Sequence, residues 1–106
     1  SNLAAFYAGT AYLKLGQYEN AVEFLSKFSA NDILIQARAY ALTGDAYMEL
    51  NDYESAIKYY RKAADYKPTK EFTPDYLMKL GLACELNQDF DGAVEAYDML
   101  IEKYPN

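Results

Sequence analysis

An all-α solenoid of tandem helical hairpins is the fold this sequence predicts, and three observations predict it. Glycine recurs at 9, 44 and 81, with small and aromatic residues at fixed distances behind it. Apolar residues return throughout at the three- and four-residue intervals of a helix face. No segment alternates with the two-residue period of a half-buried strand.

The columns that follow each glycine have a mechanical reading. Two residues on stands alanine (Ala11, Ala46, Ala83), and nine on an aromatic ring (Tyr18, Tyr53, Phe90). Twelve on stands alanine again (Ala21, Ala56, Ala93), followed by Val22, Ile57 and Val94. Four beyond that alanine come Leu25, Tyr60 and Tyr97. Glycine and alanine belong where two antiparallel helices cross closely, and the rings and branched residues fill the space between them.

Taken in order, the first helix is predicted over 3–15. It stops at Gly16, which tolerates the left-handed conformation of a C-terminal cap. The second runs over 18–29. Asp32 is the expected N-cap of a third helix over 33–50, which Asn51 ends as Gly16 ends the first. A fourth follows over 53–66 and is closed by Pro68. Thr73 then Pro74 is a helix start, because proline fits the first helical position, and the fifth helix spans 74–87. Gln88 stands where Gly16 and Asn51 stand, so this last turn is expected to differ slightly. A sixth helix over 90–104 ends before Pro105. The whole reads as one domain, 1–106, with repeats over 2–35, 37–70 and 74–106, a length within the range of a single core.

Composition removes several classes of function. The net charge is −6 and the pI about 4.5, so a phosphate backbone would be repelled and nucleic acid is not an expected partner. The acidity is uneven: residues 71–106 hold Lys79 and Lys103 against eight carboxylates, a solvated face first and an electrostatic docking surface second. No histidine is present, and the single cysteine, Cys84, has no intramolecular disulfide partner. There is no glycine-rich phosphate loop, nucleophile–base pair or zinc set, so no catalytic residue, no metal and no cofactor is expected. Cys84 reads as a small core residue. Asp89 and Asp91 begin a helix, where carboxylates complement its dipole. No apolar run is long enough to cross a membrane.

The run Gly44, Ala46, Tyr47, Tyr53, Ala56, Tyr60, Ala63 and Pro68 resembles the tetratricopeptide repeat, and the blocks on either side match it more loosely. The resemblance covers nearly the whole chain. It implies a right-handed α-solenoid of three hairpins that binds proteins rather than transforms substrates. Departures are local. Ala5, Tyr40 and Leu77 replace the family's frequent tryptophan, and both repeat spacings exceed the usual ~34 residues. The ending AYDMLIEKYPN is similar to those of bacterial cell-envelope members, which favours periplasm or envelope over cytoplasm. The Ser-Asn start and the lack of a further helix after Pro105 suggest an excised fragment.

In the family the first helix of each hairpin lines a concave groove. Helical spacing puts Leu3, Phe6, Thr10, Leu13 and Lys14 on the groove side of the first hairpin. The second contributes Arg38, Ala41, Asp45, Met48 and Glu49, and the third Asp75, Met78, Leu82, Glu85 and Leu86. A purely solvated face would be almost wholly polar, whereas this one is an apolar strip with interleaved charges, the mark of a contact surface. The expected function is therefore docking of a peptide or protein segment. The alternative is a structural or self-associating module whose strip is covered by flanking repeats or a homo-oligomer partner. Members that grip a chaperone's C-terminal carboxylate use lysines and asparagines here. The matching places hold Phe6, Thr10, Asp45 and Lys79, so such a clamp is not expected. Two features lie outside this scheme. Lys58, Arg61, Lys62, Lys67 and Lys70 read as a solvated face, with an acidic partner as the lesser alternative. Tyr7, Tyr59, Tyr66 and Tyr104 fit no shared column and are candidate surface anchors.

Overall fold

The computed structural model describes residues 2–106; Ser1, with which the predicted domain begins, lies outside the described residues. Six helices follow one another: α1 (Asn2–Lys14), α2 (Tyr18–Lys27), α3 (Ile33–Glu49), α4 (Tyr53–Asp65), α5 (Thr73–Leu86) and α6 (Phe90–Lys103). Among the described residues there is no strand. Each helix packs on its neighbours in sequence, with a smaller contact between α1 and α3, giving a body of 39 × 28 × 18 Å. That layering is a hairpin solenoid.

The glycine columns mark the crossings within hairpins. A Cβ on Gly9 would stand 2.5 Å from Leu25 Cγ, and one on Gly44 would stand 2.6 Å from Tyr60 Cε1. Gly81 bears the same relation to Tyr97. The alanines at Ala21, Ala46, Ala56 and Ala83 are wholly buried. Ala11 shares a column with Ala46 and Ala83 but is exposed, because no described helix lies on α1 as α2 lies on α3 and α4 on α5.

The core is segmental. Phe6, Ala21, Leu25, Phe28, Ala39 and Ala46 form one cluster, while a second gathers α3, α4, α5 and α6 around Ile57, Tyr60, Tyr76, Leu77, Leu80 and Cys84. Helix α3 serves both: Ala39 and Ala46 face the first cluster, Ala37 and Ala41 the second.

Helix ends fall within two residues of the expected positions, and two turns correct the sequence reading. Gln88 was expected to make the third turn differ, yet it takes φ 58°, beside 75° for Gly16 and 59° for Asn51. The bonding repeats too: Gly16 N–H to Leu13 O and Gln17 N–H to Tyr12 O in the first turn become Gln88 N–H to Glu85 O and Asp89 N–H to Cys84 O in the third. This is the Schellman closure, and it overrides the preference of an ordinary side chain for negative φ. The fifth helix begins one residue early. Thr73 is its first residue, Pro74 lies in the first turn, and the buried Thr73 hydroxyl accepts from Thr69 N–H at 2.7 Å. Asp32 caps α3 as expected, accepting from the Leu34 and Ile35 amides.

Candidate protein-binding groove

The first helices α1, α3 and α5 bring most of the predicted strip to the surface. Leu3, Lys14, Arg38, Glu49, Asp75, Met78, Leu82, Glu85 and Leu86 are exposed. Among them Met78, Leu82 and Leu86 recur at four-residue steps along α5, with 48%, 45% and 54% of their surface open. Large apolar side chains half open to water on one helix face are the exposed feature to explain. Thr10, Leu13, Asp45 and Met48 are half-buried. Leu13 and Met48 lean on the two core clusters, and the Thr10 hydroxyl donates to Tyr7 O at 2.8 Å.

Two expected strip residues are not at the surface. Phe6 is buried, its ring 5.4 Å from that of Phe28 and 5.6 Å from Tyr7. The end of α2 folds Phe28 over it, a closure that helical spacing within α1 alone does not reveal. Ala41 is buried against the second cluster because α3 is covered on both sides. As the structure stands, neither is an anchor open to a partner.

The strip has a polar centre that sequence reasoning missed. Asp45 accepts from the Tyr60 hydroxyl at 2.6 Å and from Lys79 Nζ at 3.1 and 3.2 Å. Three helices meet in this one carboxylate, since Asp45 is on α3, Tyr60 on α4 and Lys79 on α5. Lys79 also lies 3.9 Å from Asp75. Burial, and then the bond to Asp45, push the Tyr60 phenol well above its ordinary pKa. Near the end of α5 the Tyr97 hydroxyl donates to Glu85 Oε2 at 2.6 Å, and burial with that bond raises its pKa to about 12. The legible signals were Tyr60's place in a repeat column and Asp45's place on the expected strip; their bond is a three-dimensional fact.

The strip thus carries exposed apolar side chains on α5, the Asp45–Lys79 ion pair, and the carboxylates Glu49, Asp75 and Glu85. Cys84 is fully buried, and burial pushes its thiol pKa up, away from the thiolate a nucleophile needs. Among the described residues no group of His, Cys, Asp or Glu side chains is placed to hold a metal ion, and no helix is long and apolar enough to cross a membrane.

The family model described as tetratricopeptide repeat matches residues 6–71 and again 42–106. The chain belongs to the tetratricopeptide repeat family. The two overlapping matches fall on the hairpins built around Gly9, Gly44 and Gly81, and together they span α1 from Phe6 onward and the other five helices whole. No curated protein matches the chain. Tetratricopeptide repeats generally mediate protein–protein interaction, and they are typically non-catalytic.

Proposed function

We propose that this tetratricopeptide protein docks a peptide or protein segment along the strip formed by its first helices, with α5 as the main contact. The observation that carries the reading is the row Met78, Leu82 and Leu86, half open to water on one face of α5. Methionine adapts its shape to a partner, and leucines beside it supply apolar area. Leu3 on α1, 45% open, extends the apolar surface, while Glu49, Asp75 and Glu85 stand at its edges as a polar rim.

A photo-crosslinking amino acid at Leu82, with a control at Glu102 on α6, tests this in the source cell. A discrete product from position 82 alone, lost when Met78 and Leu86 become serine, is the expected result. The same products from both positions would sink the groove reading.

A further inference from the structure

We propose that the outer-wall helix α4 carries a second docking site, distinct from the first-helix strip, for an acidic peptide segment with an aromatic residue. The site is a shallow surface depression, wide open to water, of about 570 Å³ lined by Tyr40, Lys58, Arg61, Lys62, Asp65 and Tyr66. Arg61 and Lys62 stand three and four residues after Lys58, and Asp65 four and three after them, so these side chains share one face of α4 that presents three cations. Tyr40 reaches the same space from α3.

The cations are held but not neutralised. Lys62 Nζ lies 5.6 Å from the Tyr40 ring centre and 5.4 Å from that of Tyr59, and Lys58 Nζ lies 5.5 Å from Tyr59. Beyond the depression, Lys67 Nζ lies 5.5 Å from the Tyr66 ring. A ring face attracts an ammonium without occupying its hydrogen-bond donors, so the N–H groups stay available to a carboxylate. Among the described residues none of Lys58, Arg61, Lys62 or Lys67 makes an ion pair, in a chain whose net charge is −6. Asp65, the one carboxylate lining the depression, forms none either. Contrast Lys79, whose ammonium is taken up by Asp45.

The repeat supplies an internal control. The fold alone does not require this set, because the equivalent places elsewhere hold different chemistry. In the first hairpin Lys58, Arg61 and Lys62 correspond to Glu23, Ser26 and Lys27, and Tyr40 to Ala5. There Lys27 lies 4.0 Å from Glu23, and the matching depression is about 230 Å³. In the third hairpin the places hold Glu95, Asp98, Met99 and Leu77. At these places only the second hairpin combines cations with a tyrosine. Tyr40 and Tyr66 meet edge to face, 6.1 Å between centres at 78°, and leave an aromatic wall against which a further ring can pack. Charge complementarity selects carboxylates, and the wall selects an aromatic neighbour among them.

The test uses a fluorescein-labelled nonapeptide of Asp and Glu with one central Phe, and a lysine counterpart, in fluorescence anisotropy with the intact chain. The acidic peptide binds, with affinity that falls as salt is added, and the lysine peptide does not. Lys58→Glu with Lys62→Glu weakens the acidic peptide at least about tenfold, the loss that one charge-assisted hydrogen bond carries. Circular dichroism checks that this variant keeps its fold, and a second variant, Arg61→Glu, weakens binding in the same direction. Equal binding of both peptides, or no effect of either variant, overturns the proposal. So does loss of binding in Met78→Ser with Leu86→Ser, which would place the peptide in the first-helix strip. If instead the chain sediments as a dimer that Lys58→Glu with Lys62→Glu dissolves, the occupant is a second copy and the proposal falls.

Discussion

Gly44 lies directly beneath the ring of Tyr60, and the same ring is tethered by its hydroxyl to Asp45, the residue next to that glycine. The ring is therefore fixed at both ends of its reach. A methyl group on residue 44 cannot push it aside without breaking a 2.6 Å hydrogen bond.

Gly44→Ala should accordingly destabilise the fold. Alanine gains about 1 kcal/mol of helix propensity over glycine, but forcing a close-packed crossing apart costs about 1–3 kcal/mol, and here the bond to Asp45 is lost as well. Urea unfolding should show a net loss. Freeing the ring in Tyr60→Phe should make the same substitution less costly; equal costs in both backgrounds would show that the tether is irrelevant.

The third turn offers a gain. Gln88 holds φ 58° with a full side chain, where Gly16 serves the first turn. A side chain in the left-handed region costs about 1–2 kcal/mol, so Gln88→Gly should raise the melting temperature by several degrees. An unchanged or lower melting temperature would contradict this.

The second helices show a similar asymmetry at their starts. Asp52 and Asp89 accept from the amides of Ser55 and Gly92, at 3.1 and 3.0 Å, whereas Gln17 takes nearly the same backbone angles and makes no side-chain cap. Gln17→Asp should supply the missing bond and stabilise the chain by about 0.5–1 kcal/mol, measurable as a shift in urea midpoint without change in slope.

Alkaline stability follows from the two tethered tyrosines. The Tyr97 phenol ordinarily titrates at 10.0 and is raised to about 12 in the folded chain; Tyr60 is raised as well. A raised folded pKa gives stability that is fully present below pH 10. It is lost as the pH climbs from 10 through 12, where the unfolded chain releases its proton first. Tyr97→Phe should flatten that decline in unfolding measurements taken from neutrality to pH 12, and Tyr60→Phe should do so as well. Parallel curves for wild type and both variants would refute it.

Repeat position was legible because it is set at each crossing: a Cβ at Gly9, Gly44 or Gly81 would press on Leu25, Tyr60 or Tyr97, and Ala21, Ala46, Ala56 and Ala83 are wholly buried. Helix boundaries were legible from another source, the caps at Gly16, Asp32 and Asn51 and the prolines at 68, 74 and 105. Gln88 was misread because backbone closure, rather than residue preference, decides that turn. On the expected strip, helical spacing was enough to put Met78, Leu82 and Leu86 at the surface, since nothing described covers α5 there. It failed for Phe6 and Ala41, where the covering groups come from other helices. The bond from Tyr60 to Asp45, and with it Lys79, joins residues 15 and 34 apart, a relation no local pattern encodes.

Helix α3, whose alanines face both core clusters, is the seam through which the two ends of the molecule sense one another. Opening the α1–α2 hairpin would strip one side of α3 and leave the other still packed. Amide exchange should then be quickest in α1 and α2 and slowest along α3, so that this chain breathes from an end rather than melting as a single body.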